Sequence, residues 1–318
     1  MAHLKLGTRK SPLALWQAEH VAALLQAHEP GLTVELVKIS TKGDRILDTP
    51  LAKVGGKGLF VKEIEEALLD GRIDLAVHSL KDVPAELPKG LTLRAYPKRA
   101  DPRDAWVSPQ YASPVELPPG ARVGTASLRR QCQLLQARPD LEVIPIRGSV
   151  ETRLAKIETE GLHAVVLAAA GLERLGLGHR IRRKLDVNEM LPAVGQGILG
   201  IEIREKDEET SRRVGALDDS DARAMAVCER AMLHELGGGC QVPIAGHLVR
   251  DSKGWWLRGL VARPSGADMV RADGRVPLKV PLQELEALGR KVAVDLLNRG
   301  AGPILQELGM RADVSNEA

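Results

Sequence analysis

Asp82, in Ser79-Leu80-Lys81-Asp82-Val83-Pro84, follows a short apolar run and sits beside a lysine. Neighbouring cations pull a carboxyl pKa down and burial pushes it up, so an acid here could move a proton or hold a cationic intermediate. The plainer reading is a turn or cap aspartate; Asp44 and Asp104 share it with less to set against it. Cys240 stands in Gly237-Gly238-Gly239-Cys240-Gln241-Val242-Pro243, where three glycines leave room beside the sulfur. A thiol there is either a nucleophile or covalent tether, or a small residue in a tight turn, and the residues weigh the two equally. No histidine can be assigned to it as a base, because His234 falls on the preceding helical pattern. Cys132 and Cys228 lie inside helical patterns and read as core.

Cations gather at strand-to-helix turns. Gly124-Thr125-Ala126-Ser127-Leu128-Arg129-Arg130 places small hydroxyl residues where a helix begins, and free backbone N–H groups there favour anions. Ile146-Arg147-Gly148-Ser149 with Arg153 repeats the design, and Arg9 in Gly7-Thr8-Arg9-Lys10-Ser11 gives a third case. Solvated surface arginines are the bland alternative for each turn alone. Three such turns at equivalent positions point to one cleft and a small polyanion, since the planar guanidinium binds carboxylates bidentately. Two glycine motifs carry less. Gly195-Gln196-Gly197-Ile198-Leu199-Gly200 has dinucleotide-motif spacing but precedes an extended Ile201-Glu202-Ile203, so it reads as a flexible segment linking lobes. Gly55-Gly56-Lys57-Gly58 lacks the spacer and hydroxyl of a phosphate loop and reads as a mobile loop before a helix.

These residues need a frame. Leu4–Leu6 and Leu32–Ile39 read as strands around a helix from Ser11-Pro12 to about Ala27. Phe60, Ile64 and Leu68 share a helical face that Gly71 ends, and Ile73–Val77 is an apolar strand. Ala121–Val123, Ser127–Ala137, Leu141–Ile146, Ser149–Ile157 and Ala164–Leu167 repeat the strand-helix alternation. Two successive units predict an α/β class with two lobes and a central cleft, whose ligands lie at strand C-termini. After Asp219–Leu236, a helix, come strands at Gln241–Val249, Trp255–Ala262 and Met269–Val276 and a helix at Leu282–Leu297, a small α+β domain.

The chain of 318 residues has room for two or three domains, and 44% hydrophobic with 27% charged residues is ordinary for a packed protein in water. No apolar run is long enough to span a bilayer, and Met1-Ala2-His3-Leu4-Lys5 lacks a signal-peptide pattern, which predicts a cytoplasmic location. Three cysteines without a Cys-x-x-Cys pair predict neither a disulfide framework nor a metal site. A net charge of +3 and 2% aromatic residues argue against a nucleic-acid partner. The positive charge is local: Ala121 to Lys156 holds seven Lys/Arg against three Asp/Glu. A non-catalytic two-lobe binder of a small polyanion is the competing class, but it gives Cys240 no purpose.

From about Leu4 to His247 the motifs closely resemble the porphobilinogen deaminase family. Thr8-Arg9-Lys10-Ser11-Pro12-Leu13-Ala14, Val54-Gly55-Gly56-Lys57-Gly58-Leu59-Phe60 and Ala76-Val77-His78-Ser79-Leu80-Lys81-Asp82-Val83-Pro84 resemble its opening motifs. Arg99-Ala100-Asp101-Pro102-Arg103-Asp104, Ser127-Leu128-Arg129-Arg130-Gln131, Leu191-Pro192-Ala193-Val194-Gly195-Gln196-Gly197 and Gly238-Gly239-Cys240-Gln241-Val242-Pro243 follow in order. The resemblance implies two periplasmic-binding-protein-like lobes, residues 1–98 plus 198–216 and residues 103–192, and a C-terminal α+β domain, 219–318, carrying the cysteine. It implies a monomeric transferase that joins four porphobilinogen units into hydroxymethylbilane with loss of ammonia. The primer is a dipyrromethane cofactor joined to Cys240 by a thioether, and no metal or nucleotide is needed.

By the same resemblance Asp82 matches the catalytic aspartate. Lys81, Thr125, Ser127, Arg129, Arg130, Arg147 and Ser149 match cofactor-binding positions, and Arg9, Ser11, Arg153, Arg174 and Gln196 match substrate-binding ones, with Arg174 and Gln196 expected to line the cleft. Lys53, Lys57 and Phe60 belong to a loop expected to move over the cleft as the chain grows. Leu80, Ala126, Ser149 and Gly237 depart from the familiar residues without removing a charged or nucleophilic group.

Overall fold

A computed structural model describes residues 2–45, 61–238 and 242–309. Its first sheet runs β2-β1-β3-β10-β4: β1 (His3–Thr8), β2 (Thr33–Lys38), β3 (Leu75–Ser79), β4 (Leu91–Ala95) and β10 (Leu199–Arg204). β1 lies parallel to β2 and β3, and β10 is antiparallel to β3 and β4. The second sheet repeats the plan as β7-β6-β8-β5-β9: β5 (Asp104–Val107), β6 (Arg122–Gly124), β7 (Glu142–Ile144), β8 (Ala164–Ala168) and β9 (Arg183–Lys184). β6 is parallel to β7 and β8, while β5 is antiparallel to β8 and β9. The chain therefore crosses between lobes twice, once after β4 and again before β10.

Local chemistry explains the elements. Helix α1 (Pro12–His28) starts where Ser11 Oγ accepts from Ala14 N and Pro12 needs no N–H partner. It buries Ala18, Val21, Ala22 and Leu25 against the first sheet. Deleting one such leucine side chain costs roughly 2–5 kcal/mol. The short α2 (Lys42–Arg45) and then α3 (Lys62–Leu69) follow, and α3 packs Ile64, Ala67 and Leu68 on the same lobe. In the second lobe α4 (Leu128–Ala137), α5 (Val150–Thr159) and α6 (Ala169–Arg174) cover the sheet. After α7 (Glu208–Gly215), helices α8 (Ser220–Glu235) and α9 (Leu282–Leu296) pack Cys228, Met232, Leu288 and Val292 on an antiparallel sheet, β11 (Ile244–Asp251), β12 (Gly254–Ala262) and β13 (Met269–Val276). Gly237 takes φ 63° as α8 ends, and Gly238 N closes on Leu233 O at 3.0 Å, so part of the glycine run is a helix stop.

Several boundaries differ from the sequence expectation. Ile73 precedes β3 rather than starting it, and α9 continues through a π-like turn at Leu297–Ala301 into α10 (Gly302–Glu307). The glycine segment expected to be a flexible linker is a packed crossing. Ala100 N donates to Gly197 O at 3.1 Å, and a Cβ on Gly197 would stand 2.6 Å from Ala100 O. Only glycine accommodates both that approach and φ 87°. Among the described residues no helix is long and apolar enough to cross a membrane, and no group of three His, Cys, Asp or Glu could hold a metal.

Candidate functional site

One cavity of about 370 Å³ opens between the sheets. The turn after β1 supplies Arg9 and Ser11, and the single turn Leu80–Asp82 after β3 supplies Lys81 and Asp82. From the second lobe come Arg130 on α4, Arg147, Ser149 and Arg153 around the start of α5, and Arg174 at the end of α6. The crossing contributes Gly195 and Gly197. Six basic side chains thus face one space, with Asp82 and Glu151 as its acids, and no aromatic side chain is among the described lining residues.

The turns are built to aim these groups. Ser149 Oγ accepts from Thr152 N at 3.2 Å and caps α5. Gly148 sits at φ 109°, and Arg153 Nε donates to its carbonyl at 2.9 Å, folding the guanidinium back over the turn. On the opposite lobe buried Gln17 donates Nε2–H to Ser79 Oγ at 2.9 Å, fixing the strand end that leads into Lys81 and Asp82. Burial works against the cations. It pushes the Lys81 ammonium down to about 8 against the pull of Asp82, and Arg174 down to about 10. Burial and then Arg130 lower Arg153 as well. A bound polycarboxylate would relieve all three by supplying the missing counter-charge.

Behind the wall lies a second row. Asp104, fully buried at the start of β5, accepts from Arg129 Nη1 at 2.8 Å, from Arg130 Nη2 at 2.7 Å and from Gln196 Nε2 at 3.0 Å. Burial alone would raise this carboxyl, but the two guanidinium groups outweigh it and hold it well below the carboxylate range. Arg129 also donates to Leu191 O at 2.7 Å and is 3% exposed. Arg129 and Gln196 therefore stand behind the cavity wall: Gln196 Nε2 donates to Asp104 and to Pro102 O, and neither residue is among the described ones that line the cavity. Thr125, 2% exposed, and Ser127 are likewise outside the lining; Thr125 Oγ1 accepts from Ser127 N at 3.2 Å and shapes the turn. Lys53, Lys57, Phe60 and Cys240, with the side chain of Asp44, lie outside the described residues.

Sequence reasoning missed Glu229 altogether. This buried α8 carboxylate accepts from Arg99 Nη1 at 2.6 Å, Gly195 N at 2.7 Å and Leu248 N at 2.8 Å, joining both crossings to the C-terminal domain. Burial raises its carboxyl, yet Arg99 and His247 bring it down to about 2. A glutamate inside a helical pattern carries no local sign of such partners.

Comparison with known proteins gives the family. Residues 4–212 match the family described as porphobilinogen deaminase, dipyromethane cofactor binding domain, and residues 224–298 match porphobilinogen deaminase, C-terminal domain. A porphobilinogen deaminase of Syntrophotalea carbinolica is 54% identical over 305 residues, 96% of either chain. Among solved structures, the methionine binding protein MetQ is 17% identical, covering 71% of this chain and 94% of that one at a TM-score of 0.45. A putative methionine-binding lipoprotein of Bacillus subtilis is 14% identical, covering 70% and 92% at a TM-score of 0.42. With both of its parts matched in order and more than half its residues shared with a curated relative along almost the whole length, the chain belongs to the porphobilinogen deaminase family.

Proposed function

We propose that this chain joins four porphobilinogen molecules into the linear tetrapyrrole hydroxymethylbilane, releasing ammonia at each addition. The observation that carries the reading is Asp82 in a cavity with six basic side chains. Porphobilinogen bears an acetate and a propionate, so every added unit brings two negative charges into that space. The same donor set fits a dipyrromethane, whose carboxylates would meet Lys81, Arg130, Arg147 and Ser149, with Thr125, Ser127 and Arg129 shaping and bracing those positions. When bound through Cys240, that group supplies the pyrrole carbon from which the chain starts.

The protein's own part is positioning and charge. Arg9, Ser11, Arg153 and Arg174 hold the incoming carboxylates, while Gln196 braces Arg130 through Asp104. As ammonia leaves, the pyrrole becomes cationic; the Asp82 carboxylate accepts the ring N–H and offsets that charge. It is also placed to take the proton released when the ring regains aromaticity. In this reading lobe 1 comprises residues 1–98 and 198–216, supported by the place of β10 in its sheet; 103–192 forms lobe 2 and 219–318 the third domain. The protein works as a cytoplasmic monomer.

Intact mass tests the proposal. The purified protein should carry an excess of two porphobilinogen units less two ammonias, absent from Cys240→Ser, with one-unit steps added by substrate. Asp82→Asn keeps the shape and should cut turnover by about 100-fold or more. A folded protein that shows no adduct after porphobilinogen, or an Asp82→Asn variant with near-normal turnover, would overturn the tether or the role of Asp82 respectively.

A further inference from the structure

A second cavity, of about 260 Å³, adjoins the first and shares Ala170 and Arg174 with it. Its walls come from three parts of the molecule: Trp16 and His20 on α1, Pro97 and Lys98 on the first crossing, and Glu173 and Arg174 on α6. Anything bound there touches both lobes and the chain that joins them.

The chemistry of the walls is specific. Trp16 and His20 stack with ring centres 4.9 Å apart and planes 13° apart, so the pair presents aromatic edges and an outer ring face to the cavity. Burial, and then Arg174, lower the His20 pKa, which favours the neutral imidazole. Arg174 lies 5.8 Å from the Trp16 ring centre and donates to Gly197 O at 2.9 Å. Among the described residues, neither Arg174 nor Lys98 has a carboxylate within ion-pair distance, although Glu173 is next in sequence to Arg174. Glu173 instead pairs with Lys184 at 2.5 Å. Two cations outside any ion pair among the described residues, with Glu173 beside them turned to Lys184, an aromatic wall and the apolar edges of Pro97 and Leu199 make one compact surface. The mechanism uses only the cleft side of Arg174.

We propose that this hinge cavity binds a small planar aromatic carboxylate, and that its occupancy slows chain elongation. The ring packs against the exposed edge of the Trp16–His20 stack, and the carboxylate meets Lys98 and Arg174. Occupancy pins α1 to α6 across the crossing, and so resists the relative movement of the lobes that a growing chain requires, without displacing Arg174 from the substrate side. Porphobilinogen, a one-ring pyrrole with two carboxylates, falls in the same chemical class, as do other aromatic acids of the cell.

Calorimetric titration of the purified holoprotein with indole-3-acetate tests the site without turnover, so its result is independent of the reaction proposed above. The expected result is one site per chain, at least tenfold weaker in Lys98→Ala and in Trp16→Leu. Lys98 is exposed, so its variant reports even if Trp16→Leu folds poorly. In a rate assay indole-3-acetate should lower kcat severalfold and leave KM for porphobilinogen unchanged, with Lys98→Ala resistant and normal in basal rate. If excess porphobilinogen also slows wild type and Lys98→Ala relieves it, the substrate itself is an occupant; if only indole-3-acetate acts, the occupant is another aromatic acid. Equal affinity in wild type and Lys98→Ala, inhibition through KM alone, or no binding at millimolar concentration would each overturn the proposal.

Discussion

Replacing Asp104 by asparagine removes one charge from the most densely paired point of the molecule. The side chain is fully buried and accepts five hydrogen bonds: from Arg129 Nη1 and Nη2 at 2.8 and 3.2 Å, from Arg130 Nε and Nη2 at 2.9 and 2.7 Å, and from Gln196 Nε2 at 3.0 Å. Asparagine fits the space but turns an N–H₂ group toward guanidinium donors, leaving two buried cations without their counter-ion. Breaking a buried pair from one side costs about 3–5 kcal/mol. For a cooperative unit of this size, that corresponds to a Tm lower by roughly 10 °C. Differential scanning calorimetry at pH 7 reads it directly. The pH dependence has a definite sign. Burial would raise the Asp104 carboxyl, but Arg129 and Arg130 depress it overall, so its stabilisation is present above the unfolded pKa near 4 and is lost as pH falls through the folded one. The gap between wild type and Asp104→Asn should therefore narrow below about pH 4. A variant melting within about 2 °C of wild type at pH 7 would refute the view that this carboxylate holds the arginine row in place.

Three other outcomes follow from the same geometry. Lys81, pushed down to about 8 by burial where no ligand carboxylate faces it, loses its charge just above neutrality, so assembly of the dipyrromethane by protein that lacks it should slow about tenfold between pH 7 and 9, and Lys81→Arg should flatten that fall; an identical pH profile in the variant would exclude Lys81 as the titrating group. Glu65 is raised from 4.5 to about 7 by burial and by Glu202, which gives a wild-type stability that is full below pH 4.5 and declines as pH rises through 7. Urea midpoints of Glu65→Gln should lack that decline, and an unchanged slope would place its origin elsewhere. Gly197→Ala combines φ 87° with a Cβ 2.6 Å from Ala100 O, so a loss of about 1–3 kcal/mol in chemical unfolding is expected, and a neutral substitution would mean the crossing can separate freely.

Legibility in the sequence followed the range of the interaction. Ser11 and Ser149 announced their helices because a cap is a contact three residues long, and the alternation of Leu32–Ile39 marked β2. The three arginine-bearing turns could be placed on one cleft because strand ends in such sheets share a rim. β5 is four residues, all buried, and has no alternation to betray it; β10 joins a sheet whose other members lie roughly 100 to 200 positions earlier. The inward turn of Arg129 toward Asp104 depends on where β5 comes to lie, which periodicity cannot express. Glu229 was invisible for the same reason, since Arg99, Gly195 and Leu248 meet it only after three separate parts have assembled.

The position of β10 also dictates a schedule for synthesis. β4 pairs only with β10, at the edge of the first sheet, so it emerges from the ribosome without a partner and waits for roughly a hundred more residues, about 5–20 s at usual elongation rates. All five strands of the second sheet emerge within that interval, so the second lobe can close while the first still exposes an open strand edge. A ribosome stalled between β9 and β10 would hold a finished second lobe beside an unfinished first one, and that nascent species is the one a chaperone would have reason to hold.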